Sequence, residues 1–156
     1  MGHLCRVAVS VLALMVLHPT WATCEENLAL QALDRIKVGL GQGISYRELD
    51  ELLNEARVQV GMLTEHKGND CFRAAAKESY YWYDLGRKAW ETMRKNTQQR
   101  DKYFRQAKYG EHQMSAIHMT MAENYDKLVK HARDALPTKW EHGNAALERA
   151  RRCLAQ

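Results

Sequence analysis

From residue 24 onward apolar residues return every three or four positions and nowhere sustain a period of two, the pattern of amphipathic helices. Ala29, Leu33, Ile36 and Leu40 form one stripe and predict a first helix over about 24–40, which Gly41-Gln42-Gly43 would end. Leu49, Leu53, Ala56, Val60 and Leu63 predict a second over about 46–65, at the alternating four-three spacing of an antiparallel bundle seam. Phe72, Ala76, Ser79, Tyr83, Gly86, Trp90 and Met93 continue that spacing in a third helix, which starts near Asp70 and reaches at least Lys95. The polar stretch 97–110 reads either as an extension of this helix or as a separate turn. A fourth helix, about 111–136, would turn Met114, Ile117, Met121, Tyr125, Leu128 and Ala132 inward. Pro137 is expected to stop it, because proline lacks the amide hydrogen and clashes with the preceding turn. A short fifth helix from Trp140 to Leu154 then closes the chain.

Capping signals support this division. Thr23-x-x-Glu26, Ser45-x-x-Glu48 and Thr138-x-x-Glu141 each pair a hydroxyl with a carboxylate three residues on, the capping-box spacing. Ile44 and Leu49 flank Ser45 as a hydrophobic staple. Helices of such length with short turns predict an all-α fold: an antiparallel up-down four-helix bundle with a short fifth C-terminal helix.

Residues 1–22 differ from the rest. Arg6 is their only formal charge, Val7 to Leu17 is apolar except for Ser10, and Thr20-Trp21-Ala22 follows His18-Pro19. That order predicts a signal peptide cut after Ala22, and the run is shorter than the roughly 20 residues that span a bilayer. The reading is thus an exported chain, periplasmic or secreted, with one domain over 23–156. If Cys24 instead carried lipid, the protein would be a membrane-anchored lipoprotein.

Export changes the composition. Loss of Arg6 lowers the whole-chain charge of +4 by one. Cys24, Cys71 and Cys153 would meet an oxidising compartment. Alternate helices of an up-down bundle start at one end, so Cys24 and Cys71 are the expected disulfide. Cys71–Cys153 is the fallback if Cys24 is acylated.

Three segments carry candidate chemistry. Met114, His118 and Met121 share one face of a helix, and two thioethers with an imidazole suit copper(I). Core packing is the commoner reason for a methionine stripe. Tyr80-Tyr81-Trp82-Tyr83 surround a full turn, so the aromatics cannot all face one core. Tyr80, Tyr81 and Trp82 are the candidates for a partner or a small hydrophobic ligand. Arg94, Lys95, Arg100, Lys102, Arg105 and Lys108 face only Asp101, with Tyr103 and Phe104 interleaved. Lys102 and Arg105 are the partner-binding candidates there, although a solvated helix face accounts for such a run as well. The small net charge disfavours a dedicated nucleic-acid binder.

Catalytic patterns are missing. The chain has no Cys-x-x-Cys-His, His-Glu-x-x-His or Glu-x-x-His, and its adjacent Glu-His pairs diverge on a helix. Trp82-x-x-Leu85-Gly86 resembles the opening of a tetratricopeptide repeat, but no copy recurs. The stretch Leu28 to Leu63, with Gly-Gln-Gly-Ile-Ser-Tyr-Arg-Glu-Leu at its turn, resembles small exported bacterial helical proteins of unknown function, as does the Tyr80…Trp90 aromatic spacing. The resemblance implies an exported helical protein and no activity. The expectation is a non-catalytic binding or structural protein of the cell envelope. A copper- or small-ligand-binding bundle is the second expectation.

Overall fold

The computed structural model describes residues 24–63, 69–110 and 112–156, which form four helices: α1 (Cys24–Gln42), α2 (Tyr46–Met62), α3 (Asp70–Tyr109) and α4 (His112–Leu154). The expected signal peptide and the Thr23 cap lie outside the described residues. No described helix is long and apolar enough to cross a membrane.

The α1–α2 turn forms as its residues dictate. Gly43 adopts φ +76°, and Gly43 and Ile44 donate their amides to Leu40 and Gly39, which satisfies the last carbonyls of α1. Ser45 then caps α2. Its hydroxyl accepts from the Glu48 amide at 3.3 Å, and the Glu48 carboxylate accepts from the Ser45 amide at 2.7 Å.

Leu33, Ile36, Leu49, Leu53, Phe72, Ala76, Tyr83, Leu147 and Ala150 make one core between all four helices. The stripe expected on α3 is the observed one from Phe72 to Gly86, with Trp90 packed against its end. Two reciprocal pairs fix the register of α3 on α4. A Cβ on Gly86 would lie 1.8 Å from the Trp140 ring, and one on Gly143 would lie 2.6 Å from the Tyr83 ring. Each helix therefore offers a glycine where the other brings an aromatic. Ser79 adds a 2.9 Å hydrogen bond to the Gly143 carbonyl, and Tyr83 donates to Asn144 at 2.6 Å.

The fifth helix does not exist: α4 runs unbroken through Pro137, and Thr138-x-x-Glu141 lies within it. Pro137 is exposed, on the solvent side, where helix carbonyls already lean toward water. Packing of Trp140, Gly143 and Leu147 on α3 outweighs the local cost of the ring. The 97–110 stretch is helical as well, as the second half of α3.

This continuity corrects the disulfide. Cys71 bonds to Cys153, not to Cys24. A continuous α4 brings its C-terminus back beside the start of α3, whereas a separate appendage was expected at the opposite end. The same corner is tied twice more. Asn69 caps α3 and donates its side-chain amide to the Cys153 carbonyl at 2.6 Å, while buried Glu26 accepts from the Asn69 amide at 2.9 Å.

At 1.5 Å per residue, α3 spans about 60 Å and α1 about 28 Å. The α1–α2 pair therefore covers only the disulfide end of the α3–α4 hairpin. Asp34 and Lys37 of α1 pair with Arg151 and Glu148, and Asp50 of α2 pairs with Arg87. Beyond about residue 94 on α3 and before about residue 133 on α4, the two helices pack, among the described residues, on each other alone and form an arm.

Arg87 sits among Asp84, Asp50, Glu91 and the Tyr46 hydroxyl. Burial alone would raise the Asp84 carboxyl, but hydrogen bonds from Lys88 and Arg87 outweigh it and hold it below its ordinary value. A depressed carboxylate contributes stability at neutral pH that is lost as acid titrates it, below about pH 4. Asp84→Asn should accordingly be less stable than the parent at neutral pH, with the difference shrinking toward pH 3, a range set by the ordinary carboxylate values. Urea unfolding at the two extremes checks this, and a constant difference would refute it.

Candidate functional site

The arm is where most of the candidate chemistry falls. Its seam is thin and polar: Thr97, Arg100, Tyr103 and Ala107 of α3 face Ser115, His118, Ala122, Tyr125 and Val129 of α4. Tyr103 stacks on Tyr125 with centroids 5.7 Å apart and lies 5.9 Å from His118. Arg100 reaches Asp126 at 3.0 Å, and the Ser115 hydroxyl donates to the Ala107 carbonyl at 2.6 Å.

That seam differs from the expected one. Met114, Ile117, Met121 and Leu128 were to face inward, yet all four are exposed. With α3 as its only neighbour among the described residues, this part of α4 buries a single narrow stripe. The stripe that packs is the one that α3 can complement with aromatic stacking and an ion pair. The larger aliphatic stripe is left exposed on one side of α4, and Phe104, Tyr109 and Met119 are exposed elsewhere on the arm.

Of the proposed metal ligands, Met114 and Met121 are 49% and 41% exposed, while His118 turns toward α3 between them. The His118 Nδ1 is buried and has no hydrogen-bond partner among the described residues. The structure thus keeps the three on adjacent turns but divides them between seam and surface.

The aromatic turn is dispersed around α3. Tyr83 is core, Tyr80 packs against the core, Trp82 stacks on His142 at 4.5 Å, and Tyr81 is exposed at its edge. Tyr80, Tyr81 and Trp82 thus meet three different surroundings rather than one. A helix bordered by neighbours on two sides absorbs most of them.

The basic run is partly neutralised. Arg94 lies over the Tyr46 ring, Lys95 pairs with Glu91, and Arg100 pairs with Asp101 and Asp126. Lys102, Arg105 and Lys108 have no ion pair among the described residues. Lys102 lies 6.0 Å from the Tyr103 centroid, and Arg105 borders an open groove with Gln106, Tyr109, Gly110 and His118.

A further concavity went unseen in the sequence. Where the α1–α2 turn ends against the hairpin, Leu40, Gly43, Ile44, Trp90, Met93, Arg133, Leu136 and Trp140 enclose a cleft of about 270 Å³. Its residues come from three helices, and the expected break at Pro137 had assigned Leu136 and Trp140 to separate elements. Among the described residues, no group of three or more His, Cys, Asp or Glu side chains is placed to hold a metal. Comparison with protein families, with characterised proteins and with solved structures gave no match.

Proposed function

We propose that this chain is a non-catalytic, exported protein of the cell envelope that engages a partner protein through the α3–α4 arm. One observation carries the reading. The base is closed by a four-helix core and a disulfide, while on the arm Met114, Ile117, Met121 and Leu128 stay exposed along one face of α4 and α3 carries exposed Lys102, Arg105 and Lys108. An exposed apolar stripe along one helix face marks an interaction site on an otherwise solvated protein. The basic residues of the arm suit an acidic partner surface.

A photo-crosslinking residue at Ile117 should yield one discrete adduct in cells, and the same residue at exposed Val58 of α2 should yield none. Ile117→Glu with Met121→Glu should abolish an adduct formed from position 114, while changing stability by no more than about 0.5 kcal/mol per site, the ordinary range for surface positions. Equal labelling at both positions, or none at the arm, would overturn the reading. The mature chain should begin at Thr23, which intact mass of the exported protein decides; an uncut Met1 form would refute export by this signal.

A second reading is favoured by the unpartnered Nδ1 of His118, with thioethers on the adjacent turns. That donor set suits copper(I). Competition with a chromophoric copper(I) chelator should then show one ion per chain and loss of uptake in His118→Ala. Unchanged uptake in that variant sinks the idea.

A further inference from the structure

The cleft at the junction of base and arm is built from two kinds of group. Leu40, Ile44, Trp90, Met93, Leu136 and Trp140 supply apolar walls, and Arg133 is the single charged residue at its border. Among the described residues the Arg133 side chain takes part in no ion pair or hydrogen bond, whereas seven of the twelve described arginines are ion-paired. Arg35, Arg47, Arg73, Arg87, Arg100, Arg149 and Arg151 all meet a carboxylate.

The walls are held in place before anything binds. Trp140 is set by Gly86, whose missing side chain leaves the space that the indole fills. Trp90 meets the Tyr46 ring edge-on at 6.1 Å, and Tyr46 is fixed in turn by its hydroxyl's contact with Arg87 at 3.1 Å. The turn side is closed by Gly43, whose positive φ fixes the path of the chain into Ile44. A preformed apolar concavity with one convergent polar group is the usual form of a small-molecule site. At about 270 Å³ it lies just below the roughly 300–1,000 Å³ of ordinary sites, which selects a slim ligand.

We propose that this cleft binds an anionic amphiphile, one apolar chain between Trp90 and Trp140 with its charged head on Arg133. A guanidinium matches a carboxylate or phosphate head by two parallel hydrogen bonds, which an alcohol or an ammonium head cannot reproduce. The chain replaces water against the indole faces and Leu136, so affinity follows chain length. This site is separate from the exposed stripe of the arm, and the two readings stand or fall apart.

Decanoate, decanol and decyltrimethylammonium, each below its micellar concentration, are the probes, with calorimetry and tryptophan fluorescence as readouts. Decanoate should saturate at one per chain and shift the emission, with at least tenfold preference over decanol and no saturable binding of the ammonium. Octanoate, two methylenes shorter, should bind about 10–15-fold more weakly. Arg133→Gln, at an exposed position, should fold as the parent does and bind decanoate no better than decanol. Leu136→Trp should fill the cleft and abolish binding of both. Absence of saturable binding by any probe overturns the proposal. So does equal affinity for decanoate and decanol, or an Arg133→Gln variant that keeps the preference.

Discussion

Tyr83→Ala is expected to lower the unfolding free energy by about 3–5 kcal/mol, the range for truncating a large buried aromatic. Tyr83 is fully buried, and its ring lies against Gly143 of α4. Truncation leaves a cavity at the centre of the hairpin and strips the Asn144 side chain of its 2.6 Å partner. Tyr83→Phe keeps the ring and should cost only about 1 kcal/mol, the ordinary worth of one hydrogen bond. The two urea midpoints separate packing from hydrogen bonding, and similar losses in both variants would refute the packing argument. Burial also pushes the Tyr83 phenol well above its usual value. A group raised on folding contributes stability that is intact below its unfolded value and lost above it. The parent should thus weaken above about pH 10, and Tyr83→Phe should weaken less.

Removing the Cys71–Cys153 bond is expected to have an effect of similar size. The bond spans 82 residues of sequence, and a loop of that length corresponds to roughly 4.5 kcal/mol of lost chain entropy in the unfolded state. Measured values for native disulfides fall at about 2–5 kcal/mol. The Cys71→Ser, Cys153→Ser double variant should lose stability in that range while keeping its helical circular dichroism. The Asn69 bond to the Cys153 carbonyl and the Glu26 bond to Asn69 still tie the corner together. A variant as stable as the parent would show that these ties alone hold the helix ends. Peptide mapping without reduction should recover Cys71 joined to Cys153.

Where each helix packs against two or more others, its inward face was legible. Phe72, Ala76, Ser79, Tyr83 and Gly86 recur at four-three spacing and are the buried stripe of α3. The Ser45 cap and the Gly43 turn were legible too, because hydroxyl, carboxylate and glycine act within a few residues of each other. On the arm the same reasoning failed. Met114, Ile117, Met121 and Leu128 have helical spacing and high hydrophobicity, but among the described residues no third helix lies there to cover them. Periodicity reports which residues share a face; it does not report whether a neighbour exists.

The candidate site divides in the same way. The exposed methionines and the unpaired Lys102 and Arg105 were visible as residue types on a helix, whereas the cleft joins Leu40, Trp90, Arg133 and Trp140 from three helices and has no local signature. Nor did the aromatic turn announce its dispersal, since burial of Tyr83 depends on Gly143 sixty residues away in the chain.

The sequence by itself determined the all-α class, the Ser45 cap, the α1–α2 turn and the stripes that meet a core, all of which follow from interactions within one or two helical turns. Only the tertiary structure decided that α4 continues through Pro137, that Cys71 meets Cys153, and that half of the long hairpin stands clear of the base. The reason is energetic. A proline's local penalty of about 3 kcal/mol is fixed by its covalent ring, but whether it ends a helix depends on the burial gained beyond it. Here that gain comes from Trp140 on Gly86 and Tyr83 on Gly143, contacts between residues that lie far apart along the chain.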